Sequence, residues 1–338
     1  MRHSFRLSLM IGIAAGALMM VAQDRGYSQS ADPNAAPNPY RMLDSWGHLP
    51  DGRKFGGVIK AQVDHSDGKS IWVFDRCGGS ECTDSTLAPL MKFDASGRLI
   101  HAIGAGLFVV SHALYVDRDE NIWAGDQIAK NGKGADLFKL SPDGKVLMTI
   151  GKPGMPGDGP GYLSAVSAVV VAPNGDFYVA DGHGTGTNDR IVKFAKDGTF
   201  ITTWGKHGKA QGEFDTPHGI ALDSTGKVYV GDRVNNRIQI FSPDGKFLAE
   251  WKQFGRPSDV TIDKNDVMYV PDAQSTDKTN PGFRQGIRIG SVKDGKVTAF
   301  IPQTDPVVGA PEGLGVDDDG NIYAAYQSQG MVRKFVKS

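Results

Sequence analysis

Three residues of metal-binding type occupy the same place in repeated stretches of this 338-residue sequence. His112, His218 and Glu312 each stand five residues before the aspartate that ends a short apolar segment. The other copies of that position carry Ile59, Ser167 and Ser258. Two imidazoles and one carboxylate form a ligand set used by catalytic zinc and non-haem iron sites. The pattern therefore predicts a divalent metal site on these three residues, with zinc as the expected metal.

The three residues belong to a pattern that the sequence repeats six times after residue 40. An apolar strand ends in Asp or its equivalent, a turn follows, and an aromatic strand such as 121–126 ends, in most copies, in a second Asp. Two more strands follow, often joined by Asp-Gly turns such as Asp143-Gly144, which favour tight hairpins. Four-stranded units of about 40 to 50 residues are typical of propeller blades. The sequence therefore predicts an all-β, six-bladed β-propeller of the NHL-repeat kind.

The ends of the repeat array are complementary. The last unit stops after a third strand at 332–335, while 41–47 resembles the outer strands of the other units. An unclosed ring would leave unpaired strand edges. We therefore expect an N-terminal strand to pair with the C-terminal strands and close blade six.

The predicted ring gives the metal hypothesis its geometry. His112, His218 and Glu312 fall in blades two, four and six, roughly 120° apart around a six-fold ring. Their side chains would converge on the central axis with one side open, as a catalytic metal requires. The alternative is that the three residues are polar lining of a channel without a metal.

The N-terminus predicts export. Arg2 and Arg6 precede an apolar run from Leu7 to Ala22, the pattern of a secretory signal peptide over 1–22. Residues 23–39 show no periodicity and predict a disordered lead-in, and 40–338 form the propeller. We expect a secreted or periplasmic protein that is not membrane-bound after signal cleavage.

The charge pattern limits the partners. The net charge is −1 and the basic residues are scattered, so a nucleic acid or an anionic membrane is not expected. We expect a monomer that acts on a small polar substrate or a peptide C-terminus.

The two cysteines, Cys77 and Cys82, lie in one short loop. In an exported protein this spacing predicts a local disulfide bond. A two-cysteine metal pair is the alternative, although no second pair completes such a site.

Two charged pairs recur within the blades and are interpreted as structural. Asp181 with Arg190, and Asp232 with Arg237, have the spacing expected for pairs that tie adjacent strands of one blade.

With these motifs, the chain resembles the peptidyl-α-hydroxyglycine α-amidating lyases, propeller enzymes that split a C-terminal α-hydroxyglycine into a peptide amide and glyoxylate. The family carries zinc on three histidines from alternate blades, and His112 and His218 match two of them. The third position is Glu312. The resemblance implies that Arg76 binds substrate, and that His183, in Asp-Gly-His, stands near the place of the family's catalytic Tyr. An imidazole there could serve as the base because it titrates nearer neutral pH than a phenol.

Two functions follow from this sequence. The first is a metal-dependent, lyase-like enzyme in which the metal polarises an oxygen, Arg76 binds a carboxylate and His183 moves a proton. The second is a non-catalytic NHL propeller that binds a protein or glycan, because propellers host many unrelated functions.

Overall fold

The computed structural model describes Met1 and residues 32–43, 46–305 and 307–338. Apart from Met1, the predicted signal peptide over 1–22 lies outside the described residues, as does 23–31 of the lead-in. The described residues contain no helix long and apolar enough to cross a membrane.

Six four-stranded antiparallel sheets form the six blades, which confirms the predicted propeller. Blade one contains β2 (Val58–Val63), β3 (Ile71–Asp75), β4 (Leu90–Phe93) and β5 (Leu99–Ile103). Blade two contains β6 (Ser111–Val116), β7 (Ile122–Asp126), β8 (Asp136–Leu140) and β9 (Val146–Gly151). Blade three contains β10 (Val166–Val171), β11 (Phe177–Asp181), β12 (Arg190–Phe194) and β13 (Phe200–Trp204).

The second half of the ring repeats this order. Blade four contains β14 (Pro217–Leu222), β15 (Val228–Asp232), β16 (Arg237–Phe241) and β17 (Phe247–Trp251). Blade five contains β18 (Thr261–Ile262), β19 (Val267–Asp272), β20 (Gly286–Ser291) and β21 (Val297–Pro302). Blade six contains β22 (Gly313–Val316), β23 (Ile322–Tyr326), β24 (Met331–Lys337) and, from the N-terminus, β1 (Tyr40–Leu43).

The N-terminal strand closes blade six, as predicted. Strand β1 pairs antiparallel with β24, with Tyr40 opposite Lys337 and Leu43 opposite Lys334. Just beyond β1, Trp46 is buried and its ring lies 4.9 Å from that of Tyr323 in blade six. Aromatic burial and backbone pairing therefore hold the two ends of the chain together.

Residues 32–39 differ from the disordered lead-in that composition predicts. The Asn34 side chain donates to the Gly282 carbonyl and accepts from the Arg284 main-chain N–H and from Arg288 Nη2. The Pro37 carbonyl accepts from the Phe300 N–H. These bonds tie this part of the lead-in to blade five, in contrast to the disorder that its composition predicts.

The core lies between neighbouring blades, where buried aliphatic and aromatic side chains form successive clusters around the ring. The two charged pairs lie within single blades, as interpreted from the sequence. Arg190 Nε lies 3.0 Å from Asp181 Oδ2, and Arg237 Nε lies 2.8 Å from Asp232 Oδ2. Each guanidinium also donates to carbonyls of the loop that enters its blade, so these arginines serve the scaffold.

Candidate active site

The two candidate histidine ligands lie at β-bulges of their innermost strands. In blade two the register shifts between Ser111 and Ala113, and in blade four between Pro217 and Gly219. The residues left out of these registers are His112 and His218. Because a bulge re-aims the side chain of its extra residue, the innermost strands turn both imidazoles away from the regular pleat. Both side chains are buried.

Main-chain carbonyls from the next blade hold these two rings. His112 Nδ1 lies 2.8 Å from the Ser167 carbonyl oxygen, and His218 Nδ1 lies 2.5 Å from that of Ser258. A carbonyl only accepts, so each Nδ1 carries the proton and each Nε2 keeps its lone pair. Ser167 and Ser258 occupy the same repeat position as the histidines. Their side chains are not among the predicted ligands, yet their backbone carbonyls orient the two rings.

His183 joins the two histidines. It follows β11, and its ring centroid lies 4.7 Å from that of His112 and 4.9 Å from that of His218. Its Nε2 lies 3.1 Å from His218 Nε2. One ligand-type atom from each of the three rings lies within 4.8 Å of the others. The predicted proton-transfer residue and two predicted metal ligands therefore share one site.

Glu312 lies at the same site and has two close partners. Its Oε1 is 3.2 Å from His218 Nε2 and 3.1 Å from Arg233 Nη1. The structure thus places Glu312 beside His218, whereas the ligand-type atoms that lie within 4.8 Å of one another belong to His112, His183 and His218. Glu312 also balances the charge of a buried arginine, which the sequence analysis did not anticipate.

Two buried arginines flank the histidines. Arg76 donates from Nη2 to Gln127 Oε1 at 2.8 Å and from Nε to the Ser111 carbonyl at 3.3 Å. Arg233 contacts Glu312, and its Nη2 lies 3.4 Å from His183 Nε2. Arg76 is predicted from the sequence, and Arg233 is not. Both directly follow an aspartate that ends a second strand, Asp75 and Asp232, and this shared repeat position was the available signal.

Burial controls the protonation of the site. Desolvation lowers the pKa of His112 and His218 well below the ordinary value, and nearby positive charge lowers them further. Desolvation, Arg233 and Arg76 together lower the pKa of His183 to about 3. Burial raises the pKa of Glu312, while Arg233 and Arg76 oppose that rise. The three imidazoles are therefore neutral near pH 7, which is the form that binds a metal.

The donor set fits a divalent metal. Two neutral imidazoles expose Nε2 lone pairs while their Nδ1–H groups are held by carbonyls, the arrangement common around metal-bound histidines. Glu312 adds a carboxylate oxygen next to His218 Nε2. Imidazole and carboxylate ligands suit zinc and other first-row metals.

A cavity of about 1480 Å³ lies against this cluster, between the inner strands of the ring. His112, His218 and Glu312 line it, together with Ser167 and Ser258. Further along the same cavity Lys60 forms an ion pair with Asp259, and Asp259 also accepts from the Leu314 N–H. The candidate ligands therefore face a polar space that could admit a small polar molecule.

The Cys77–Cys82 disulfide is present, as predicted, with an S–S distance of 2.00 Å. It closes the loop directly after Arg76, and Cys82 Sγ lies 3.8 Å from Ser111 Oγ, next to His112. The disulfide therefore anchors the loop that presents Arg76 to the site.

Similar proteins agree with the repeat and the resemblance. The family model of the NHL repeat matches residues 214–241. Peptidyl-alpha-hydroxyglycine alpha-amidating lyase 1 of Drosophila melanogaster is 34% identical over 139 residues, covering 38% of this chain and 24% of that protein. Peptidyl-glycine alpha-amidating monooxygenase A of Xenopus laevis is 31% identical over 172 residues, 48% of this chain and 17% of that protein. These matches span well under two thirds of either relative's length.

Solved structures share the fold at low identity. A streptogramin B lyase superposes with a TM-score of 0.55 at 16% identity, covering 88% of this chain and 98% of that one. The gluconolactonase XC5397 from Xanthomonas campestris superposes with a TM-score of 0.60 at 13% identity, covering 92% and 99%. The chain is thus a six-bladed NHL-type β-propeller with sequence similarity to amidating lyases.

Proposed function

We propose that this chain is an exported, metal-dependent lyase that cleaves a C-terminal α-hydroxyglycine, or a closely similar hydroxy acid, to an amide and glyoxylate. One observation carries the proposal: ring nitrogens of His112, His183 and His218 lie within 4.8 Å of one another, and Glu312 contacts both His218 and the buried Arg233 beside the cavity. The similarity to amidating lyases supplies the substrate class. Zinc is the metal that this donor set favours.

The arginines suit the acidic end of such a substrate. A hydroxyglycine carries a carboxylate, and a guanidinium binds a carboxylate through paired hydrogen bonds. Arg76 and Arg233 flank the histidines from blades one and four. Arg76 donates from Nε and Nη2 to the Ser111 carbonyl and to Gln127, and Arg233 donates from Nη1 to Glu312. We assign both to substrate binding, with Arg233 also neutralising Glu312.

The bond changes need no oxidant. The hydroxyl loses its proton, the carbon–nitrogen bond breaks with its electron pair moving to nitrogen, and the nitrogen takes up a proton. A divalent metal held by His112, His218 and Glu312 would supply a Lewis acid that polarises a substrate oxygen. His183 is neutral near pH 7 and is assigned to proton transfer, because it contacts His218 and Arg233.

Export is part of the proposal. The signal-peptide pattern of residues 1–22 and the disulfide in the loop after Arg76 both suit an oxidising compartment. We place the protein in the periplasm or outside the cell, acting as a monomer on small polar substrates or peptide C-termini.

The test is turnover of a peptide that ends in α-hydroxyglycine, followed by release of glyoxylate and of the peptide amide. Wild-type protein should release both in equal amounts, lose activity after treatment with a chelator and regain it with zinc. Arg76→Met should lose at least about 100-fold in kcat/KM, because a buried charge-assisted contact is worth roughly 3 kcal/mol. Arg98→Met is the control, because the exposed Arg98 side chain pairs, among the described residues, with Asp94 alone.

Absence of turnover together with absence of metal binding would refute the lyase and favour the second function. In that case the polar cavity and the internally paired Glu312 and Arg233 would belong to a non-catalytic propeller that binds a protein or glycan.

A further inference from the structure

Gln127 bridges the substrate-binding arginine and the central histidines. It directly follows Asp126 at the end of β7, the repeat position that carries Arg76 in blade one and Arg233 in blade four. Its Oε1 accepts from Arg76 Nη2 at 2.8 Å, and its Nε2 lies 2.8 Å from His183 Nδ1. Its main-chain N–H donates to the Val110 carbonyl, which fixes the residue beside the His112 strand.

Arg76 determines which way the Gln127 amide points. A guanidinium has only donors, so the amide oxygen must face Arg76 and the NH₂ group must face His183. Turning the amide over would set two donors against each other at 2.8 Å. His183 Nδ1 therefore accepts a hydrogen bond and carries no proton.

The other nitrogen of His183 must then carry the proton. An imidazole whose Nδ1 accepts a hydrogen bond is the neutral ring, which has a single N–H, and that N–H is on Nε2. The Nε2–H faces His218 Nε2 at 3.1 Å, whose lone pair is free because His218 Nδ1–H is bonded to the Ser258 carbonyl. Arg233 Nη2 is also a donor, but it lies 3.4 Å from His183 Nε2, further away than His218 Nε2. The opposite tautomer would place its N–H against the Gln127 amide at 2.8 Å, a closer clash of donors.

We infer that Gln127 is a positioning residue that holds His183 as the Nε2–H tautomer, so that His183 faces the centre as a hydrogen-bond donor. This deepens the proposed function, on which the catalytic use of the N–H rests. A protonated Nε2 binds no metal and accepts no proton. The metal ligands are then His112, His218 and Glu312, and His183 donates to a substrate oxygen or the departing nitrogen in place of the base expected from the sequence.

The test reads the tautomer directly in metal-free protein. Proton–nitrogen correlation spectra of protein labelled with nitrogen-15 at histidine distinguish a protonated ring nitrogen from a bare one. The His183 signals are assigned by their loss in His183→Asn. Wild type should show Nε2 protonated and Nδ1 bare. In Gln127→Glu the carboxylate accepts from both neighbours, so Nδ1 should become protonated. Gln327→Glu is the matched control, because Gln327 holds the same repeat position in blade six and is exposed.

A wild-type spectrum with a proton on His183 Nδ1 would overturn the inference, even if Gln127→Glu could not be purified. So would a Gln127→Glu spectrum identical to wild type while the other histidine signals show an intact fold. Failure of metal binding or of turnover would count against the proposed function alone, because the tautomer is measured without metal or substrate.

Discussion

Asp136 lies opposite Asp126 in blade two, where the equivalent positions of blades three and four hold an arginine. Leu137 pairs with Gly125, so Asp136 faces Asp126 as Arg190 faces Asp181 and Arg237 faces Asp232. Both carboxyl groups are buried, and Asp126 Oδ2 and Asp136 Oδ1 have no hydrogen-bond partner among the described residues. Burial raises the pKa of Asp126 to about 8 and that of Asp136 to about 7.

This pair makes stability depend on pH. Because the pKa values of both carboxyl groups are raised in the folded state, their contribution to stability is complete below their unfolded pKa near 4. That contribution is lost as the pH rises to about 8. The free energy of unfolding of Asp136→Asn, taken relative to that of wild type, should therefore rise by about 2–4 kcal/mol from pH 5 to pH 9. Urea unfolding at both pH values measures the difference. Asp143→Asn, at an exposed turn of the same blade, should show no such gain. An equal effect of Asp136→Asn at both pH values would contradict the prediction.

Closure of the ring by β1 should account for a large part of the cooperative stability. Deleting residues 40–47 removes the pairing of β1 with β24 and the buried ring of Trp46, which contacts Tyr323 and Phe93. Loss of a buried aromatic side chain alone costs roughly 3–5 kcal/mol. The denaturant midpoint should fall accordingly, while Arg41→Ala, an exposed change on the same strand, should leave it nearly unchanged. An unchanged midpoint after the deletion would refute the closure.

The disulfide should affect the site more than the fold. The loop between Cys77 and Cys82 is short, so removing the bond should cost only about 2 kcal/mol of stability by the chain-entropy relation. Cys77→Ser with Cys82→Ser should instead raise KM for a carboxylate substrate, because the loop after Arg76 loses its anchor. The experiment compares KM and the unfolding midpoint of the two proteins. A large drop in midpoint with unchanged KM would show that the bond serves the fold alone.

Much of the fold was predictable because each blade is encoded locally. The alternation of apolar residues and the Asp-Gly turns recur with the blade period, and the missing outer strand of blade six has its counterpart at 41–47. The contacts of residues 32–39 were not predictable in this way. They depend on single side chains such as Asn34, which binds Arg284 and Arg288 more than 200 residues away. The periodicity of apolar residues does not predict such contacts.

The site was predictable where side-chain type carries the chemistry. His112, His218 and Glu312 stood out because one repeat position changes type in alternate blades. Arg233 and Gln127 were not predicted, although both directly follow a strand-ending aspartate, as Arg76 does. The carbonyls of Ser167 and Ser258 could not be found at all, because every residue has one and only the packing of adjacent blades aims it at a ring.

The ligand set itself can be tested by calorimetric titration of metal-free protein with zinc. His112→Ala and His218→Ala should each weaken binding by more than about 100-fold, because each removes one of three ligands. The double variant should lose little more than either single one, since a site that lacks one ligand is already broken. Glu312→His should retain or strengthen zinc binding, because a third imidazole replaces the carboxylate.

The same Glu312→His variant should also be less stable. Arg233 is buried and loses its carboxylate partner, a change that typically costs about 3–5 kcal/mol. Tighter zinc binding with a lower unfolding midpoint would thus separate the two roles of Glu312. His101→Ala is the control for the titrations, because His101 is exposed on β5 in the outer part of blade one. Additive losses from His112→Ala and His218→Ala would indicate two independent residues, and no zinc binding by the wild type would exclude the metal centre.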